Sequence, residues 1–228
     1  MRTRLLLIAF LIAAPAQASQ GENPLFARTH MLPSPFTLPG GRLIVGTEVA
    51  FGITDFLQVG TSLLRDLYRV YNANTKLSLV DLDEFAFALT GEWQSYNYRD
   101  ISVTNPDVKV TSWMPGFIAS WAPLPRLAHF VGGQLSYSSV TQNVAGAQLS
   151  GYVQGAAVES DLSWAHGPDK HPTALVLSGG VSYDFTYELA GFGLSYHVQG
   201  LHFGLHYYPD ADRYKVHPII VGGTSFSL

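Results

Sequence analysis

The chain has 228 residues, no cysteine, 13 basic and 17 acidic residues, and a formal net charge of −4. That balance excludes a nucleic-acid surface built on bulk positive charge, and the missing cysteines exclude disulfide staples and thiolate metal centres. Charged residues make up 13% of the chain, against about 25% in ordinary soluble domains, while aromatic residues also reach 13% and glycine occurs 22 times.

The N-terminus opens with Arg2 and Arg4, continues with an apolar run from Leu5 to Ala14, and reaches the small-x-small site Ala16-Gln17-Ala18. This is the three-part plan of a secretory signal peptide over residues 1–18, with cleavage expected before Ser19. The run is about half the ~20 residues of a spanning helix. Without Arg2 and Arg4 the mature chain, residues 19–228, keeps 11 basic and all 17 acidic residues, for a net charge of −6.

Residues 22–36 (ENPLFARTHMLPSPF) alternate poorly and run into Pro33, Pro35 and Pro39. From there on the pattern has period two, which places alternate side chains on opposite faces of a strand. Leu43, Val45, Thr47, Val49 and Phe51 share one face, with Gly46, Glu48 and Ala50 on the other, and residues 42–51 read as one strand. After a turn at 52–55, Leu57, Val59 and Leu63 oppose Gln58, Gly60 and Ser62. Leu77 and Leu79 oppose Asn74, Lys76 and Ser78; Phe85, Phe87, Leu89 and Trp93 oppose Ala88, Thr90, Glu92 and Gln94. Residues 108–122 keep Phe117, Ala119 and Trp121 in phase around Pro115, which cannot donate to a ladder and predicts a bulge. Val131, Leu135 and Tyr137 then oppose Gln134, Ser136 and Ser138. Tyr152, Ala156, Val158, Leu162 and Trp164 oppose Gly155, Glu159, Asp161 and Ser163. Leu175, Leu177, Val181, Tyr183 and Phe185 oppose Ser178, Gly180, Ser182 and Asp184. The stretch SYHVQGLHFGLHYYPD follows as a hairpin about Gln199-Gly200, and the chain finishes on VHPIIVGGTSFSL.

Eleven segments therefore read as strands, and no segment has a long helical period. The polar phase carries glycine, serine and other small residues rather than the Lys, Glu and Thr of a water-facing strand. Small polar side chains suit a narrow lumen. The apolar phase carries Phe51, Trp93, Trp121, Tyr137, Trp164, Tyr183, Phe185 and Tyr207 near segment ends, where interfacial girdles belong. A closed barrel satisfies every backbone group in lipid. The sequence thus predicts an all-β, antiparallel, up-and-down transmembrane β-barrel, with apolar side chains toward hydrocarbon.

The last strand places Phe226 and Leu228 in the outward phase, and the run Gly52 to Gly60 has the form of strand, tight turn, strand. In these features the chain resembles bacterial outer-membrane β-barrel proteins. The resemblance implies the outer membrane of a Gram-negative bacterium, contact with its lipid and lipopolysaccharide, and recognition of the C-terminal strand by the barrel-insertion machinery. An even strand number with short periplasmic turns and longer outer loops implies twelve strands, the twelfth drawn from residues 22–36; ten strands is the runner-up, if two of the segments are one or residues 22–40 are a plug.

The candidate functional residues are the polar groups of the inward phase: Glu48, Lys76, Glu92, Gln134, Glu159, Asp161, Asp184, His197, His202 and His206. They would line a path for a small solute or form a network that fills the lumen. A two-residue loop at Gln199-Gly200 pairs positions whose numbers sum to 399, so His197 faces His202. Two facing imidazoles are a candidate metal pair, weighed against polar filler bonded to serine, tyrosine or water. No cofactor is expected. Ser195 and His197 share a face but stand ~6.8 Å apart along the strand, and no nucleophile motif accompanies them, so no catalytic residue is assigned. The expected function is a small pore or passive transporter, or a structural barrel. An embedded lipid-modifying hydrolase is the first alternative and a secreted soluble β-protein the second.

Overall fold

A computed structural model of the chain describes residues 35–67, 69–82, 84–98, 108–144, 147–169, 174–198, 201–211 and 215–227. The strands are β1 (Arg42–Gly46), β2 (Glu48–Thr54), β3 (Leu57–Ser62), β4 (Val70–Asp81), β5 (Phe85–Tyr98), β6 (Val108–Leu124), β7 (Leu127–Val144), β8 (Ala147–Ala165), β9 (Leu175–Asp184), β10 (Leu189–Val198), β11 (Leu201–Tyr207) and β12 (Val216–Ser227). One short helix, α1 (Leu63–Leu67), joins β3 to β4. No helix among the described residues is long and apolar enough to cross a membrane.

The strands form an antiparallel up-and-down sheet in which each pairs with its neighbour in the chain, and β1 also pairs with β12 from Arg42↔Ser227 to Gly46↔Gly223. Period two decides which face each side chain takes. In β2 to β7 the buried strand residues are even-numbered apart from Gly133, among them Ala50, Asn72, Lys76, Ser78, Ala86, Ser112, Ser120 and Phe130. The buried phase passes to odd numbers in β8 (Glu159, Asp161, Ser163), to even in β9 (Val176, Ser178, Ser182), to odd in β10 (Ser195) and to even in β11 (His206). The opposite face exposes Leu89, Phe117, Leu135, Leu194 and Phe203, with Val181 50% and Leu205 54% exposed. Burial is thus inverted relative to a soluble protein: small and polar side chains lie within the curled sheet and large apolar ones on its skin.

Aromatic side chains mark two levels on that skin. Near one end Phe85 pairs with Trp121 and Trp121 with His129, while Trp164, Leu177, Tyr196 and Phe203 follow one another across β8 to β11. Nearer the other end Trp93 pairs with Trp113, and Trp113 with Tyr137. The Trp121 and His129 rings meet edge-on at 4.3 Å, and His166 stacks on Tyr196 at 5.4 Å.

Heights are unequal. β5 to β8 have 14, 17, 18 and 19 residues, whereas β9, β10 and β11 have 10, 10 and 7. The β8–β9 ladder stops at Ala157↔Asp184, while β7 and β8 stay paired out to Val144↔Ala147.

Three expectations change. Residues 42–51 are two arms of a hairpin about Gly46, Thr47 and Glu48, with Leu43↔Phe51 and Val45↔Val49 paired, rather than one strand. A three-residue connection keeps odd-numbered residues on one face of both arms, so the alternation runs through the reversal unbroken. The additional strand near the N-terminus therefore comes from residues 42–54. Of the segment expected to supply it, residues 22–34 lie outside the described residues, and Pro35 and Phe36 are buried without forming a strand. Finally, Pro115 makes no bulge. The β6–β7 ladder omits Met114 and Pro115 and resumes at Gly116↔Gln134 in the register of Trp113↔Tyr137, the response expected of a residue without an N–H. The shift in that ladder falls between Trp121 and Leu124, at the turn.

Candidate functional site

The enclosed face is layered. Toward the end that carries the β2–β3, β4–β5 and β6–β7 turns it is apolar: Phe36, Ala86, Ala88, Ile118, Ala128, Phe130, Ala165 and Val176 form one buried cluster. All but Phe36 are strand residues of β5 to β9. Phe36 arrives from residues 35–41, which cross this end of the interior. Leu38 N–H donates to Gln58 Oε1 at 2.9 Å, Gly40 N–H to Asp55 Oδ1 at 2.8 Å, and Gly41 N–H to the Gly52 carbonyl at 2.8 Å. Gly52 makes the approach possible, because a Cβ there would collide with the Pro39 carbonyl and lie 2.6 Å from that of Leu38.

Beyond this cluster the interior turns polar. Lys76, Glu159 and Asp161 are all buried, Asp161 being 1% exposed. Ser163 and Ser178 hydroxyls meet at 2.6 Å, and those of Ser112 and Ser138 at 2.8 Å. Asp161 fits because β9 carries Gly180 opposite it: a methyl at Gly180 would collide with the Asp161 carboxylate and with the Ser160 carbonyl. Glycine therefore leaves the room that the charged side chains fill.

At the far end two clusters stand near the mouth. In the first, α1 packs against β4 and β2, and Arg65 donates to Glu92 on β5. Burial pulls the Arg65 guanidinium below its ordinary value, and the Glu48 carboxylate pulls it back up. Asn72 holds the base of this turn: its Oδ1 accepts from Ser62 N–H at 2.7 Å, and its Nδ2 donates to the Ser62 carbonyl at 3.0 Å and to Asp66 Oδ1 at 3.1 Å. In the second cluster His206 Nε2 is 2.9 Å from Ser182 Oγ, and the His206 ring stacks on Tyr208 at 4.5 Å. Ser182 lies across β10 from His206, with Gly191 between them. A Cβ on Gly191 would run into His206 Nε2 and come within 2.8 Å of Tyr208. Tyr208 lies just past the end of β11. Burial raises its phenol above the usual range, Asp184 and Glu159 add to the rise, and the Ser182 hydrogen bond opposes it.

The Tyr208 shift has a measurable sign. The folded chain keeps the Tyr208 proton to higher pH than the unfolded chain, where a tyrosine titrates near 10. Its contribution to stability is therefore complete below about pH 10 and shrinks as pH rises above that value. Between pH 9 and 12 the urea midpoint of the wild-type chain should fall further than that of Tyr208→Phe; equal falls would show a solvated phenol.

The ten expected residues are thus distributed rather than gathered. Lys76, Glu159, Asp161 and His206 are buried in the interior. Glu48 and Glu92 flank Arg65, and Gln134 lies opposite Gly116 and Ala157 in the inward phase. Asp184 caps the β9–β10 turn, accepting from the N–H groups of Thr186 at 2.8 Å and Tyr187 at 3.2 Å. His197 and His202 are register partners; the His202 side chain lies outside the described residues. Among the described residues no group of three or more His, Asp or Glu is placed to hold a metal ion. Ser195 is buried against Gly204 rather than joined to His197. Serine–histidine contacts join His206 to Ser182 inside and His129 Nε2 to Ser160 Oγ, at 2.9 Å, on the skin. Arg65, Ser182, Tyr208 and Phe36 were not among the expected residues. A glycine in the inward phase between a serine and a histidine, as at Gly191, is the signal that could have found the first contact.

No protein-family model, no curated protein and no solved structure matches the chain.

Proposed function

We propose that the chain is a transmembrane β-barrel of a Gram-negative outer membrane, closed through β1 and β12 as a twelve-stranded cylinder, and that at rest it is a filled, structural barrel rather than an open pore. The observation that carries this reading is the inversion of burial: Leu205, Val181 and Leu194 are exposed while Lys76, Glu159, Asp161 and His206 are buried. Exposed apolar side chains on every strand from β3 to β11 find a matching solvent only in hydrocarbon.

The aromatic levels support it. Trp121 to Trp113, and His129 to Tyr137, are each eight residues apart. At ~3.4 Å per residue and a tilt of ~40° that is about 20 Å along the axis, close to the ~25 Å apolar band of such barrels. The filled interior is supported by the Phe36 cluster and by the glycines that leave no space for a Cβ beside Asp161 and His206. The hydrolase alternative draws less support, because Ser182 and His206 are both buried.

The test is fractionation and folding. The expressed chain should sediment with outer membranes, and the refolded chain should migrate faster in detergent gels unboiled than boiled. A chain that stays in the soluble periplasmic fraction and shows one mobility refutes the proposal.

A further inference from the structure

We infer that the open edge of β8 from Gln148 to Gly155 is a docking edge for an extended peptide, which adds there as one further strand. The inference goes beyond the transmembrane reading, because it stands on the edge of the sheet and adds a binding activity.

The β9 strand turns away early. Its last pair with β8 is Ala157↔Asp184, after which Phe185 N–H donates to the Ala156 carbonyl at 2.9 Å and Ala156 N–H donates to Thr186 Oγ1 at 3.2 Å. Above Ala156, among the described residues, β8 is paired on its β7 side only, in unbroken register to Val144↔Ala147. Alternate residues of a strand direct both backbone groups to the same edge. Gln154, Tyr152, Ser150 and Gln148 therefore follow Ala156, and each turns one N–H and one C=O to the open side. Every residue from Gln148 to Gln154 is exposed, Tyr152 by 84%, and a Cβ on Gly151 would meet nothing within 4 Å. Native sheets blunt such edges with charges, proline or bulges. This one, AQLSGYVQG, has none of them.

A row of donors and acceptors at strand spacing matches another backbone, so the occupant is a peptide strand. Its side chains are specified too. Leu149 and Val153 on β8, with Val140 and Val110 beside them, take the inward phase, whereas Gln148, Ser150 and Gln154 take the outward one. The partner therefore carries apolar side chains in one phase and small polar ones in the other. At the base of the edge a cavity of about 300 Å³, lined by Leu135, Tyr137, Ala156 and Phe185 among others, opens on the skin and would seat one apolar side chain. Residues 147–155 carry no charge, and Glu188 is exposed on the β9–β10 turn below them, so a basic residue suits the partner's leading end.

The experiment uses the full chain refolded in detergent and a fluorescein-labelled synthetic peptide, one lysine followed by alternating valine and threonine, read by fluorescence anisotropy. Wild type should bind it saturably, and should bind far more weakly a peptide of the same composition with its valines grouped together. Tyr152→Pro should raise the Kd about tenfold, because it removes one N–H from the edge and sets a ring in the partner's path. The β7–β8 ladder should survive, since that N–H points away from β7. Folding is read separately from the unboiled gel shift. If Tyr152→Pro misfolds, Ser150→Pro, at the next position along the same edge, decides the matter. Equal binding by wild type and the folded proline variant, or no saturable binding by wild type, overturns the docking edge. The chain has no cysteine, so disulfide-linked dimers of Ser150→Cys formed without peptide would put a second copy on this edge and overturn the peptide as its occupant. A wild type that binds the peptide but shows no gel shift supports the edge and counts against the transmembrane reading alone.

Discussion

Leu205→Arg is expected to block stable insertion of the chain into bilayers. Leu205 is 54% exposed, pairs with Leu194 in the middle of β10–β11, and lies between the level of Phe203 and that of Tyr207. A guanidinium at the midplane of a barrel's lipid face costs about 2–4 kcal/mol. On a water-facing surface the same replacement stays within about 0.5 kcal/mol. The two solvents therefore give opposite outcomes. Folding into phospholipid vesicles, followed by the unboiled gel shift across urea concentrations, should show the arginine variant losing most of its folded fraction. A variant as stable as its parent would place water against β11 and remove the basis for the orientation.

The second large effect is expected inside. Gly180→Ala should destabilise the fold by about 1–3 kcal/mol, the range for overpacking a filled core. At an unconstrained site the same replacement is mildly stabilising, because alanine narrows the unfolded ensemble. The sign follows from the neighbours: the new methyl meets the Asp161 carboxylate and the Ser160 carbonyl. The first is the end of a side chain and the second is backbone. Adding Asp161→Ala should therefore restore only part of the loss, since the Ser160 carbonyl belongs to the β8 ladder and cannot retreat. Urea midpoints of the two single variants and the double variant provide the comparison. Full tolerance of alanine at 180 would mean an interior loose enough to carry water, against a filled barrel.

These effects rest on features that differ in how well they could be read from the residues. The phase of the strands from β4 to β10 was legible, because alternation of Leu, Val and aromatics with Gly and Ser is a local property. The pairing of His197 with His202 was equally legible, since loop length sets hairpin register. The reversal at Gly46 to Glu48 was hidden because it preserves the odd and even faces, so the hydrophobic pattern contains no break at Thr47. Pro115 misled for a related reason. A missing N–H can interrupt one ladder without adding a residue, and only the neighbouring strand shows which occurs. Contacts across a strand, such as Ser182 with His206, depend on curvature and on the empty place at Gly191. Phe36 sits in a proline-rich stretch with no period at all, where burial is decided by what the far wall offers.

The unequal strand lengths bear on how the molecule meets its surroundings. Beyond the Trp93, Trp113 and Tyr137 level, β5 to β8 continue for several more residues, while β9 stops at Asp184, opposite Ala157 and short of that level. The sheet is thus a parapet along β5 to β8 and a doorstep along β9 to β11. Changes of length in the β9–β10 turn should therefore alter the exposure of the His206 and Tyr208 cluster more than equal changes at the tip of β7 and β8.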